Sequence, residues 1–286
     1  VLSLHSNGER MPLDIGSRLL LNDGNSMPQF GLGVYLTSEG KEIRRAMEMA
    51  IAAGYRHFDT AAMYGNEAGV GAAIRESGIP REAFFVTTKL WNDDHGYDSA
   101  LKAFEKSNNK LDLEYIDLYL IHWPVPGLRR DSWRALEKLK GSGMAKSIGV
   151  SNYILPHLQE MNEYSTFKPS VNQIELHPFN FGSRKATIDY CFHHSIVPEA
   201  YSPLTRGKKF SDPVVAAAAK SLGKTPSQIL IRWSIQHGFS CIPKSSDPDR
   251  IKLNADVFGW EIPVEWMQKL DELDTGLAVS WNPGKE

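Results

Sequence analysis

The sequence predicts an α/β fold, a (β/α)8 TIM barrel with an N-terminal β-hairpin, formed as one domain over residues 17–286. Three observations carry that expectation. Short β-rich segments alternate strictly with helical ones from Phe30 onward. Eight such strand segments occur, and eight is the number that closes a parallel sheet. Seven of the eight end in polar residues able to do chemistry, and in a barrel the strand C-termini form the active face.

Residues 1–16 read as a loose lead-in, and RLLLNDGNSMP after them reads as a hairpin, with an Asn-Asp-Gly-Asn turn between short apolar arms. The strand segments are 30–33, 56–59, 84–88, 116–121, 146–150, 171–174, 196–200 and 239–242. Most are nearly continuous apolar runs, as strands covered on both faces should be. Between them, Ile43, Ala46, Met47, Ala50 and Ile51 form a helical stripe that Gly54 stops. Leu101, Phe104 and Leu111 mark a second helix, and Trp133, Leu136 and Leu139 a third, closed by Gly141 and Gly143. TPSQILIRWSIQHG opens with Thr225 as N-cap and Pro226 in the first turn, then sets Ile229 and Trp233 on one face. The competing fold is an open doubly wound sheet, which usually carries G-x-G-x-x-G directly after its first strand. Here GVGAAI at 69–74 follows no strand and lies inside a helical stretch, so it reads as close helix packing.

Composition narrows the function classes. Lys+Arg is 32 against Asp+Glu 34, a net charge of −2, which argues against a nucleic-acid binder or a basic membrane-surface protein. No apolar stretch approaches the ~20 residues of a bilayer span. Two cysteines, Cys191 and Cys241, make no disulfide framework, and VLSLHSNGER carries no signal-peptide pattern. A cytoplasmic location is expected. The run Cys191-Phe192-His193-His194 matches no usual zinc spacing, so no metal is expected.

The strand-end residues are Asp59, Lys89, His122, Ser151 with Asn152, Gln173, Tyr201 with Ser202, and Lys244 with Ser245. Asp59, Tyr64, Lys89 and His122 can form one working set. A buried Lys beside a Tyr favours the phenolate and should lower the phenol pKa from its reference near ~10. An Asp paired with that Lys keeps the ammonium charged, so the Tyr can serve as a general acid, while a neutral His orients a carbonyl oxygen. Taken singly each has a plainer reading: a core histidine, a strand-end lysine, a loop tyrosine. Their joint order makes the catalytic reading the stronger one.

The sequence resembles an aldo-keto reductase over about 28–284. GYRHFDTAAMYGNE carries that family's Asp and Tyr, TTKLW its Lys and DLYLIHWP its His. GVSN, NQIELHP, YSPL and IPKS follow in the family order. The resemblance implies a barrel and NADPH-dependent reduction of aldehydes or ketones, reversible with NADP+. It gives the tetrad Asp59, Tyr64, Lys89 and His122, with Tyr64 as proton donor. Ser151, Asn152 and Gln173 would hold the nicotinamide carboxamide, and Tyr201 would stack on its ring. Ser202, Pro203 and Leu204 would line the pyrophosphate. Lys244, Ser245 and Arg250 would surround the 2′-phosphate, with Asn254 on adenine. Two cations near one phosphate dianion give charge-assisted bonds. Leu253 and Asp247 stand where the family often has a Glu and a small hydroxyl residue, which leaves the margin of NADPH over NADH open.

Tyr35, Trp91, Trp123 and Trp281 would wall an apolar substrate funnel. The short WPVPGLRR connection and the brief tail resemble compact members such as 2,5-diketogluconate reductases and prostaglandin F synthases, and broad carbonyl acceptance is expected. The expected partner is a small-molecule carbonyl substrate, with no nucleic acid and no membrane, and the resemblance implies a monomer. The alternative is an NADP(H)-binding regulatory or structural protein on the same fold with little turnover.

Overall fold

The computed structural model describes residues 12–280. The expected hairpin is strands β1 (Arg18–Leu20) and β2 (Ser26–Pro28), antiparallel with Arg18 opposite Pro28. Eight parallel strands follow: β3 (Leu32–Gly33), β4 (His57–Asp59), β5 (Phe85–Leu90), β6 (Ile116–Ile121), β7 (Ala145–Ser151), β8 (Val171–Glu175), β9 (Val197–Tyr201) and β10 (Ser240–Cys241). Each pairs with its neighbours in chain order. The first and last of the eight also meet. Cys241 N–H donates to Gln29 O at 2.9 Å, Gly31 N–H to Cys241 O at 3.0 Å, and Gly33 N–H to Pro243 O at 3.2 Å. The fold is the expected (β/α)8 architecture, with every strand end within a residue or two of its predicted place and β3 and β10 half their predicted length.

The helices cover the outside of the sheet: α1 (Lys41–Ala52), α2 (Glu67–Glu76), α3 (Tyr97–Leu111), α4 (Arg129–Gly141), α5 (Leu155–Glu160), α6 (Phe181–His193), α7 (Pro213–Leu222), α8 (Pro226–Gln236), α9 (Pro248–Ala255) and α10 (Val264–Asp271). The predicted stripes face inward: Ile43, Ala46, Met47 and Ala50 of α1 are buried, as are Trp133, Leu136 and Leu139 of α4. Thr225 caps α8 through a reciprocal pair with Gln228. Leu13 and Ile15 of the predicted lead-in already pack on the core, and residues 1–11 of it fall outside the described residues. No described helix is long and apolar enough to cross a membrane.

The two ends of the barrel differ. Leu21 and Met27 of the hairpin join Phe85, Leu118, Leu120 and Val171 in a buried cluster. The hairpin therefore plugs the end where the strands begin. The other end carries the polar strand termini.

GVGAAI lies within α2, as expected. A Cβ on Gly71 would stand 1.8 Å from the Leu111 carbonyl oxygen at the end of α3, and one on Gly69 would stand 2.3 Å from Ile43 Cγ2. The glycines let three helices approach closely. Gly71→Ala must separate two backbones and should lower stability by about 3 kcal/mol in urea unfolding. A change below about 0.5 kcal/mol would contradict this packing.

Candidate active site

Each tetrad residue sits at or just beyond a strand C-terminus. Asp59 ends β4, Lys89 is the penultimate residue of β5, and His122 directly follows β6. Tyr64 closes a single helical turn, Ala62–Tyr64, in the loop after β4. Asn66 fixes that loop: its Nδ2 donates to Val34 O and Thr37 O, both at 2.9 Å, and its Oδ1 accepts from Thr60 Oγ1 at 2.6 Å. The bonds tie the Tyr64 loop to the loop after β3, where Tyr35 packs its ring 5.0 Å from that of Tyr64.

Lys89 is completely buried, and its ammonium has three partners. Nζ donates to Asp59 Oδ1 at 2.6 Å, to Thr60 O at 2.9 Å and to Tyr64 Oη at 3.4 Å. Two bonds hold the ammonium and the third aims it at the phenol oxygen. Beneath it, Gln173 Nε2 donates to Asp59 Oδ2 and to Glu199 Oε1, each at 2.7 Å, and Ser240 Oγ donates to Glu199 Oε2 at 2.7 Å.

The expectation of an acidified phenol is corrected. Burial, then the Asp59 charge, push Tyr64 well above its ordinary value. The ammonium is neutralised by Asp59 beside it, so desolvation wins. Tyr64 is therefore a protonated phenol near neutral pH. Burial, then Lys89 and His95, hold His122 well below its ordinary value, so its ring is neutral. That ring lies 5.7 Å from the ring of Tyr64 and 5.2 Å from that of Trp91, both edge-on.

A cleft of ≈ 940 Å³ runs from Tyr64, His122, Trp123 and Tyr35 past Ser151, Asn152, Gln173 and Tyr201 to Ser202, Pro203 and Leu204. It ends at Lys244, Ser245, Arg250 and Asn254. All the expected cofactor-binding residues thus share one cleft. Lys89 is buried beneath the floor, Trp91 packs edge-on against His122 but does not itself line the cleft, and Trp281 falls outside the described residues. Asp247 also lines the cleft, but its carboxylate caps α9, accepting the Arg250 N–H at 2.9 Å, and Leu253 lies on the same helix. No group of three or more metal-ligating side chains occurs among the described residues.

Two buried carboxylates escaped the sequence reading. Glu175 at the end of β8 accepts from Val279 N (2.7 Å), Ser280 N (2.9 Å) and Ser280 Oγ (2.5 Å), and it meets His177 Nε2 at 3.0 Å. Burial acts to raise Glu175, but the bonds from His177, Ser280 and Val279 outweigh it and hold the carboxyl low. Ser280 Oγ in turn meets Tyr201 Oη at 2.9 Å, and that hydroxyl donates to Asn152 Oδ1 at 2.8 Å. The clamp, in which His177 holds one oxygen of Glu175, links the chain's last described residues to the middle of the cleft. The second is Glu199. Its only sequence signal was a charge inside an apolar strand, two residues before Tyr201.

The sequence profile of the Aldo/keto reductase family matches residues 30–275. The glyoxal reductase of Bacillus subtilis (strain 168) is 45% identical over 273 residues, covering 96% of this chain and 98% of its own. The 9,11-endoperoxide prostaglandin H2 reductase of Trypanosoma cruzi is 45% identical over 266 residues, covering 92% and 93%. The crystal structure of a Gox0644 mutant in complex with NADPH superimposes with a TM-score of 0.89 at 40% identity, covering 95% of this chain and 98% of that one.

Buried neutral histidines make the fold sensitive to acid. Burial lowers His95 to about 4, against about 6.5 in an unfolded chain. Between those values the unfolded chain binds the proton and the folded one does not. The stabilisation is therefore complete above pH 6.5 and is lost as pH falls towards 4, by about 3 kcal/mol for this one ring. His95→Leu should lose less stability than wild type between pH 7.5 and 4.5, by about that amount, in urea titrations. Equal losses would mean that the ring is protonated in the fold.

Proposed function

The chain belongs to the aldo/keto reductase family, and on that premise we propose that it reduces aldehydes and ketones with NADPH, Tyr64 supplying the proton. The carrying observation is the Lys89 ammonium, fully buried, neutralised by Asp59 and aimed at the Tyr64 oxygen on the wall of the cleft.

The cleft residues suit a dinucleotide. Lys244 and Arg250 bring two cations to one end, as a phosphate requires, and α9 begins beside them. Amide and hydroxyl side chains at 151, 152 and 173 offer donors and acceptors to a carboxamide in the middle, and Tyr201 offers a ring face. The NADPH bound by Gox0644 supports the same reading. Asp247, spent on its own helix, opposes a 2′-phosphate less than its charge alone suggests.

The bound cofactor supplies hydride chemistry; the chain supplies position, a proton and electrostatics. A carbonyl oxygen placed between Tyr64 and His122 meets a protonated phenol and a neutral imidazole. As negative charge develops on that oxygen, the phenol releases its proton to it. The phenolate left behind faces the ammonium of Lys89 at the distance now held by the phenol, 3.4 Å. Asp59 keeps that ammonium in place. The high pKa of free Tyr64 keeps the donor loaded at neutral pH, and Lys89 stabilises the anion only as it forms, which is where an interaction speeds a reaction.

Tyr35, Leu36, Met63, Trp123 and Phe210 give the cleft an apolar wall. That wall and the activity named for the Bacillus subtilis relative, on the dicarbonyl glyoxal, support broad carbonyl acceptance.

NADPH consumption with a panel of aldehydes and ketones tests the assignment. Wild type should oxidise NADPH with several of them, and Tyr64→Phe should lose about 10²–10⁴-fold in kcat while still binding NADPH. Binding without turnover of any carbonyl in the wild type would favour the regulatory or structural alternative.

A further inference from the structure

We propose that Glu199 is a positioning residue, locking the Gln173 side-chain amide in the one orientation that presents its oxygen to the cofactor's nicotinamide carboxamide. The inference rests on the NADPH reading above and assigns a task to a buried carboxylate that touches neither substrate nor cofactor.

The chemistry of the floor fixes the orientation. One terminal atom of Gln173 lies 2.7 Å from Asp59 Oδ2 and 2.7 Å from Glu199 Oε1. Only an NH2 group can satisfy two carboxylate oxygens at once. An oxygen in that place would need a proton on both carboxyls, and Asp59, bonded to the Lys89 ammonium at 2.6 Å, is poorly suited to hold one. With both N–H donors spent downward, the amide oxygen is the atom left for a ligand in the cleft that Gln173 lines. A primary carboxamide brings an NH2 donor to meet it.

Asp59 alone does not enforce this. It would accept one N–H and leave the amide plane free to rotate about that bond. Glu199 takes the second, and is itself held by Ser240 Oγ at 2.7 Å, at zero exposure. Neighbouring His57, which burial lowers to about 4, is neutral and leaves that carboxylate to the amide and the hydroxyl. Three successive strands, β8, β9 and β10, thus converge on one amide orientation.

The test compares two ligands by calorimetry. NADPH reaches the carboxamide position; adenosine 2′,5′-bisphosphate occupies only the phosphate and adenine end. Glu199→Val, with Glu199→Ala as the alternative if Val does not fold, removes the acceptor. It should weaken NADPH about tenfold while leaving adenosine 2′,5′-bisphosphate unchanged. Glu199→Gln keeps one acceptor oxygen and should restore NADPH binding to within about threefold of wild type. Unchanged NADPH affinity in the Val or Ala variant would overturn the proposal, as would equal weakening of both ligands, which signals a collapsed floor. A wild-type protein that binds neither ligand would instead remove the NADPH reading.

Discussion

A fully buried ammonium organises this protein. Moving a charge out of water costs several kcal/mol, and the cost is offset only where partners meet every donor. Lys89 finds them in Asp59, the Thr60 carbonyl and the Tyr64 hydroxyl, all presented by one strand end and the loop after it. Asp59 then needs its own second partner, which Gln173 provides from the far side of the barrel, and Gln173 needs Glu199. Satisfying one charge therefore draws on β4, β5, β8, β9 and β10 together. The parallel barrel makes this possible because its strands all deliver their C-terminal residues to the same floor.

The two ends of the barrel divide stability from chemistry. The hairpin seals one end with Leu21 and Met27 against apolar strand starts. At the other end the same strands carry acids, amides and hydroxyls. The proposed catalytic and cofactor-binding residues lie along this end, and loops such as the one Asn66 pins complete the set.

Much of this was legible in the sequence, for physical reasons. Strands buried on both faces read as apolar runs, so β5 to β9 were recognisable within a residue or two. The two strands at the seam, β3 and β10, were read as longer than they are, because much of their bonding passes between single residues such as Gly31 and Cys241. Tyr64, Lys89, Asp59 and His122 were legible because their spacing and order resemble a known family. Glu199 and Glu175 were not: a carboxylate within a strand gives no sign that the interior facing it is polar. The phenol acidity that a neighbouring cation suggests for Tyr64 does not hold in the fold, where burial and the Asp59 charge act against it. Asp247 reads in the sequence as a charge opposed to phosphate, whereas in the fold it caps a helix.

The proposed chemistry requires the Lys89 ammonium to stabilise the anion left when Tyr64 gives up its proton. Single-turnover NADPH oxidation by Lys89→Met, with NADPH saturating and its dissociation constant measured alongside, tests this most directly. The rate should fall by about two to four orders of magnitude with NADPH affinity nearly unchanged. A rate within about tenfold of wild type in a variant that binds NADPH normally would contradict it.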